Sequence, residues 1–222
     1  MGRDSRIAPG NTAYIHSHIE RMIKVADLDE RHSILEVGSG LGKFTMPLLD
    51  KGYRITANDL SPHLLGRLVE ATDSGLEAVC CDIHDIARHT DAKFDRLVGF
   101  FVLHHLIDFD RLFAKLAEVT KPGGRIAFCE PVSRNPLYYL QIALTPGMHF
   151  AGEPSIAAMR RGVIFPAMQR AGFVDAQSHR YGYFPPALKN TAWGDGLERW
   201  LDSKPLVPFP NAFQIFTARL PA

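Results

Sequence analysis

The sequence predicts an α/β fold built on a mostly parallel, doubly wound sheet, and three observations carry that prediction. Short apolar runs alternate with helical patterns from residue 34 onward, the first run ends in a glycine-rich turn, and acidic residues close the second and third runs. Strands alternating with helices at this pace imply βαβ units with right-handed crossovers.

Ahead of the alternation, the first thirty residues read as helix, with Ile15, Ile19, Met22, Ile23 and Ala26 on one face. Ile34 to Val37 is a short apolar run of the kind found in buried parallel strands. A helix from Gly42 to Lys51 follows it. Tyr53 to Ala57 is the second strand, closed by Asn58-Asp59. Ser61-Pro62 then opens a helix, with serine as N-cap and proline at the first helical position. Leu76 to Cys81 and Phe94 to Phe101 are the third and fourth strands, and Asp108 to Val119 is a helix. Lys121-Pro122-Gly123-Gly124 turns the chain into a fifth strand, Arg125 to Glu130.

After Glu130 the rhythm breaks. Residues 131–154 carry four prolines and a Tyr138-Tyr139 pair, which predicts an inserted cap. A helix over Ser155 to Arg170, a turn at Ala171-Gly172 and a strand from Phe173 come next. A second proline-rich excursion spans 185–210, and a last strand covers Ala212 to Leu220. The chain therefore divides into a single domain, 1–222, with an N-terminal helical cap (1–32), an α/β core (33–130) and two lid segments (131–154 and 185–210).

Composition narrows the function classes. Hydrophobic residues make up 46% and charged residues 22%, which suits a packed core rather than a disordered chain. Lys and Arg total 25 against 24 for Asp and Glu, so no broad positive field favours a nucleic-acid backbone. No apolar run approaches the ~20 residues of a membrane span, and Met1-Gly2-Arg3-Asp4 leads into no apolar signal region. Of three cysteines, Cys80 and Cys81 are adjacent and Cys129 is isolated, so no disulfide framework or CxxC site is encoded. A soluble, cytoplasmic protein is expected.

The sharpest local signal is Glu36-Val37-Gly38-Ser39-Gly40-Leu41-Gly42, between the first strand and its helix. Glycines there let the turn take positive φ and let a ligand approach the backbone. The spacing departs from the dinucleotide Gly-x-Gly-x-x-Gly pattern, because position 43 is lysine, and no Gly-Lys-Ser/Thr closes a P-loop. Asp59 lies 21 residues beyond Gly38, at the end of the second strand. A carboxylate at that edge of a doubly wound sheet can accept hydrogen bonds from both hydroxyls of a ribose. Asp82-Ile83, ending the third strand, adds an acid and an apolar neighbour suited to a base edge.

With these residues in order, the chain resembles the class I S-adenosylmethionine-dependent methyltransferases, in the small-molecule group that includes the ubiquinone and menaquinone enzymes. The resemblance runs from Ile34 to Glu130 through Glu-Val-Gly-Ser-Gly-Leu-Gly, Asn-Asp-Leu-Ser-Pro, Cys-Asp-Ile, Phe-Asp-Arg-Leu-Val, Val-Leu-His-His-Leu and Lys-Pro-Gly-Gly. It implies a Rossmann-like, seven-stranded sheet, mostly parallel with the last strand antiparallel, and helices on both faces. It also implies S-adenosylmethionine as methyl donor. Gly38, Ser39, Gly40 and Gly42 would hold its methionine portion, with Glu36 beneath them. Asp59 would take the ribose hydroxyls, Leu60 would flank the adenine, and Asp82 and Ile83 would meet its edge. Gly99 and Phe100 would offer backbone to the donor's amino group, and Tyr14 of the cap is assigned to the same site. Two aromatics at Phe100-Phe101, where the family often has a small polar residue, point to an apolar acceptor pocket.

Methyl transfer from a sulfonium is an in-line displacement, so alignment and exclusion of water can suffice without a catalytic dyad. Where an oxygen or nitrogen must lose a proton, a base adds ~10²–10⁴-fold. His104, His105, Glu130 and His149 are the candidate bases, with a packing or capping role as the competing explanation for the first three and solvent exposure for His149. Tyr14, Tyr138, Tyr139, Tyr183 and Trp193 are aromatic candidates for lining the acceptor site. No oxygen-rich metal cluster and no HExxH is encoded among the ten histidines, and no metal is expected. Asn135-Pro136-Leu137-Tyr138 falls after the fifth strand rather than the fourth and lacks the second proline of amino-directed enzymes, so it reads as a turn. The expected reaction is metal-independent methylation of a small, partly apolar acceptor, at oxygen ahead of nitrogen or carbon, with no nucleic-acid partner. The oligomeric state is open. The competing readings are a donor-binding but inactive subunit, a macromolecule-directed methyltransferase and a nicotinamide-dependent oxidoreductase.

Overall fold

A computed structural model describes residues 12–72, 76–136, 139, 154–203 and 211–222. Its centre is a seven-stranded sheet in the order β3-β2-β1-β4-β5-β7-β6. The strands are β1 (Ser33–Val37), β2 (Arg54–Asp59), β3 (Glu77–Cys80), β4 (Phe94–Phe100), β5 (Thr120–Pro131), β6 (Val174–Tyr181) and β7 (Phe213–Arg219). The first five are parallel, and β7 runs antiparallel to both β5 and β6. The expected fold class is thus found.

Helices cover both faces. On one face α1 (Ala13–Ala26), α2 (Thr45–Leu49) and α3 (Pro62–Glu70) bury Ile15, Ile19, Met22, Leu48, Leu65 and Leu68 against Ile34, Val98, Ala127 and Ile215. On the other, α4 (Phe109–Val119) and α5 (Arg161–Arg170) bury Leu112, Phe113, Leu116, Ile164 and Met168 against Leu35, Leu97, Ile126, Phe128 and Phe216. Successive strand residues thus face opposite layers, as a doubly covered sheet requires. The caps are the ones the sequence encodes. The Thr12, Ser61 and Asp108 side chains accept from the N–H groups of Ile15, Leu64 and Arg111.

Four elements differ from their sequence expectations. α2 begins at Thr45 rather than Gly42, because Gly38, Gly40 and Gly42 all have positive φ and hold the chain out of helical geometry. Lys121 to Gly124 does not precede β5 but lies inside it, as a bulge across which pairing jumps from Phe94↔Thr120 to Arg96↔Arg125. The helix expected over 155–170 is broken into a 3₁₀ turn, Ile156–Ala158, and α5, with Arg160 extended between them. The buried Gln214 amide holds the break by donating to the carbonyls of Met159 and Pro131. The excursion after Pro185 contains two helices, α6 (Pro186–Lys189) and α7 (Ala192–Asp202), the latter capped by Thr191. Most of the first lid segment and residues 204–210 lie outside the described residues.

The sheet places the ends of β1, β2, β3, β4, β5 and β6 along one edge, through the pairings Val37↔Asn58, Asp59↔Cys80, Val37↔Gly99, Gly99↔Phe128 and Tyr181↔Phe213. Phe128 anchors the middle of this arrangement and is fully buried. Truncation of such a ring leaves a cavity that the surroundings close only in part. Phe128→Ala is expected to lower unfolding stability by about 3–5 kcal/mol, measured from urea denaturation followed by circular dichroism.

Candidate functional site

The turn after β1 is built on two adjacent residues of β2. Asn58, buried beneath it, accepts from Ser39 N through its backbone carbonyl and donates its amide to the carbonyls of Val79 and Cys81. Asp59, half-buried, accepts from Gly40 N at 2.8 Å through Oδ2 and from Ser61 N at 2.9 Å through Oδ1. Each carboxylate oxygen retains a lone pair, so Asp59 fixes the loop and still has acceptor capacity toward a ligand with neighbouring hydroxyls.

The glycines of the turn divide their work. A Cβ on Gly42 would come within 2.3 Å of Leu68 Cδ1, so that glycine permits the loop to pack on α3. Gly40, at φ 54°, has nothing within 4 Å of a Cβ position and faces open space, where a ligand can approach the backbone. Leu60, next to Asp59, is an apolar side chain left 69% exposed at this edge. Ile83 is buried, while Asp82 caps the following 3₁₀ turn through His84 N and bonds the His84 ring at 2.8 Å.

Beneath the turn, Glu36 is 2% exposed and its Oε2 has no hydrogen-bond partner among the described residues. Burial pushes its carboxyl up from 4.5 to about 7, the charge of Asp59 adds to the rise, and the Thr45 hydroxyl opposes it. A buried acceptor without a donor, beside an open glycine turn, fits an ammonium or N–H donor supplied by a ligand.

The end of β4 carries a conformational outlier. Phe101 has φ 55°, a left-handed geometry that costs a bulky residue about 1–3 kcal/mol. Its N–H donates to Cys129 O at 2.8 Å, and its ring packs against those of His18, Phe44 and Phe213. Phe100 is buried and stacks flat on Phe44 with centroids 4.2 Å apart, while Gly99 has no room for a Cβ against Phe128 and Val102. The residues that follow are held by Glu130. Its Oε1 accepts from Val102 N and Leu103 N at 2.9 and 2.7 Å, and its Oε2 lies 2.5 Å from His104 Nδ1. Both Glu130 and His104 are buried, whereas His105 is exposed and packs its ring 4.1 Å from that of His104. His149 lies outside the described residues.

Sequence reasoning passed over a second cluster at this edge. His18 on α1 sits among the rings of Tyr14, Phe213 and Phe101, with centroids at 4.4, 4.7 and 5.1 Å, and Phe44 at 6.2 Å. Its Nδ1 lies 2.5 Å from Tyr181 Oη, and that oxygen lies 3.0 Å from Cys129 Sγ. Burial, with the nearby charges of Lys43 and Lys189, lowers the His18 pKa to about 3, so the ring is neutral. The only sequence signal was the helical face shared by Tyr14, Ile15, His18 and Ile19; that a histidine occupies a core position was readable, its partners 111 and 163 residues away were not. Of the other aromatic candidates, Tyr183 is buried, Tyr139 donates to Ser133 O, and Trp193 is 61% exposed. Tyr138 falls outside the described residues.

A cleft of about 460 Å³ at the opposite edge is lined by Ser33, Tyr53, Arg54 and Glu77 and shares nothing with this cluster. Among the described residues, no helix is long and apolar enough to cross a membrane.

Because Glu36 keeps its proton to about pH 7 when folded but ionises near 4.5 when unfolded, its burial costs nothing at low pH and destabilises increasingly between those values. Glu36→Gln removes this penalty. The variant should match the parent near pH 5 and exceed it by about 1–3 kcal/mol at pH 8, read from urea midpoints at the two pH values.

Comparison with known proteins agrees with this geometry. Residues 35–128 match the family model described as a methyltransferase domain. The chain is 30% identical over 133 residues to the methyltransferase GfsG of Streptomyces halstedii, covering 58% of this chain and 48% of that protein. It is 31% identical over 104 residues to a demethylmenaquinone methyltransferase of Corynebacterium urealyticum, covering 47% and 44%. The chain thus spans about half the length of the curated relatives it matches. In fold it is similar to the N-methyltransferase NodS of Bradyrhizobium japonicum in complex with S-adenosyl-L-homocysteine, with a TM-score of 0.63, 15% identity and coverage of 100% of this chain and 94% of that one. With the glycine turn, the strand-end acids and the sheet order all in place, residues 35–128 carry a methyltransferase domain match and the chain has the fold of S-adenosylmethionine-dependent methyltransferases.

Proposed function

We propose that this chain is an S-adenosylmethionine-dependent methyltransferase that modifies a small, partly apolar acceptor at oxygen, without a metal ion. The observation that carries the reading is the conjunction, at neighbouring strand ends, of an open glycine turn, a half-buried Asp59 and an unpartnered, buried Glu36. When bound, S-adenosylmethionine supplies a methyl group already activated on a sulfonium.

The chain's residues then have binding and aligning to do. Asp59 accepts from the ribose hydroxyls with the lone pairs left free by Gly40 and Ser61. Glu36 Oε2 accepts from the amino group, directly or through water. Leu60 flanks the adenine, and Asp82 and the backbone of Ile83 meet its edge. Ser39 and Gly38 keep the turn seated on β2, and Tyr14 closes the site from α1. Glu130 and His104 act here as positioning residues. Their mutual contact and the two backbone bonds to Val102 and Leu103 fix the segment that follows Gly99 and Phe100. Commitment of Glu130 to two backbone N–H groups and to His104 supports a reaction that uses no metal. Any proton lost by the acceptor passes to solvent or to an exposed group such as His105; His149 keeps the same role as a candidate. The single net positive charge supports a small-molecule acceptor over nucleic acid.

Titration with S-adenosylhomocysteine tests the donor assignment. Asp59→Ala should weaken binding about 10- to 100-fold, the loss of one or two hydrogen bonds to a charged acceptor, with the fold intact by circular dichroism. Unchanged affinity would remove Asp59 from the site, and a parent protein that binds but never turns over with any acceptor would mark an inactive donor-binding subunit.

A further inference from the structure

His18, Tyr181 and Cys129 form a buried chain of polar groups that the donor site does not use. The three side chains are 1%, 3% and 0% exposed. Tyr181 Oη sits between His18 Nδ1 at 2.5 Å and Cys129 Sγ at 3.0 Å. A phenol hydroxyl donates far better to an imidazole nitrogen than to a thiol sulfur, and a thiol donates to oxygen. The order is therefore Cys129 Sγ–H to Tyr181 Oη, then Tyr181 Oη–H to His18 Nδ1. With Nδ1 accepting and the ring neutral, the proton of His18 is on Nε2. That Nε2 has no hydrogen-bond partner among the described residues.

A buried N–H without an acceptor needs an explanation. The rings of Tyr14, Phe44, Phe101 and Phe213 stand around the imidazole. An ordered water needs two to four polar partners, and ring faces supply none, so the fitting occupant brings one oxygen on an apolar frame. The electrostatics select further. The Lys43 ammonium lies 5.6 Å over Tyr14 and 5.7 Å over Phe44, and Lys43 and Lys189 both depress the basicity of His18. A cationic amine is disfavoured in that field and an ionised oxygen is favoured. Phe44 follows the glycine turn and Phe101 follows β4, so the cluster adjoins the donor site.

We propose that His18 determines acceptor specificity, its Nε2–H, set by the Tyr181 and Cys129 relay, binding the oxygen of a phenol or enol in its ionised form within the Tyr14, Phe44, Phe101 and Phe213 rings. The inference rests on the donor assignment above. Phe101, whose ring lies 5.1 Å from that of His18, is held at φ 55° directly after β4.

The test uses 4-nitrophenol, whose ionised form is coloured, with the whole chain saturated by S-adenosylhomocysteine. At a pH where half the free probe is ionised, wild type should bind it saturably and raise the ionised fraction. His18→Phe should weaken probe binding at least tenfold and return the fraction to its free value, while His18→Gln, which keeps an N–H donor, should retain most of both. Tyr181→Phe, which frees the tautomer, should fall between them. S-adenosylhomocysteine affinity should stay within twofold in every variant. Nitrogen NMR of the wild-type imidazole should show the Nε2-protonated tautomer. Equal probe binding by wild type and a folded His18→Phe, the opposite tautomer, or no probe binding by a protein that holds S-adenosylhomocysteine would each overturn the proposal alone. Failure of wild type to bind S-adenosylhomocysteine would instead overturn the donor assignment, and the acceptor proposal with it.

Discussion

Two consecutive side chains at the end of β2 set the level of the whole ligand edge. Asn58 ties the turn after β1 to the end of β3, and Asp59 ties Gly40 to the first residue of the α3 cap. Three strand ends and one helix start are thereby locked to one another by five hydrogen bonds that lie in or beneath the loop. A flexible glycine turn would otherwise collapse into the sheet edge or fray into solvent, because glycine loses the most conformational entropy on ordering. The carboxylate achieves this without exhausting its acceptor capacity. One residue both makes the loop rigid and leaves it able to bind.

The same solution recurs further along the edge. Glu130 ends β5 as a fully buried carboxylate, and it is tolerated there because two backbone N–H groups and a histidine nitrogen surround it. Lys189 and Glu198 form a second buried group, 2.6 Å apart. Glu198 also accepts from Tyr183 N and Phe184 N, fixing α6 and α7 against the end of β6. Such pairs contribute less to net stability than to uniqueness of the arrangement, since desolvation offsets most of their attraction. Glu36 is the exception. Among the described residues its Oε2 finds no donor, and burial holds its proton to about pH 7.

Strain and unsatisfied polarity coincide on the face of the edge covered by α1. Phe101 in left-handed geometry, the orphan Nε2 of His18 and the orphan Oε2 of Glu36 all occur within the same few turns of chain around β1, β4 and α1. Elsewhere the core is conventional, with apolar side chains from both helical layers packed on the sheet. Asp27 and Asp175 also have positive φ, but strain beside orphan polar atoms is the combination that exceptions at functional surfaces show.

The sequence by itself determined the sheet, the glycine turn with its strand-end acids, and the caps. These are local: apolar runs set strands, Ser61-Pro62 and Asp108 start helices, and the glycine turn and Asp59 fall at strand ends whatever the packing around them. Where α2 begins, and that Lys121 to Gly124 bulges inside β5, depended on positive φ values and pairing partners not encoded by spacing. α6 and α7 were hidden because prolines at 185 and 186 read equally well as a loop or a helix start. Only the tertiary structure decided the His18 cluster and the contacts of Glu130. His18 and Tyr181 are 163 residues apart, and Glu130 finds Leu103 and His104 across a strand crossover. Such contacts follow from how α1, β5 and β6 stack on one another, and side-chain chemistry acquires a role there only when packing removes water and fixes the partner.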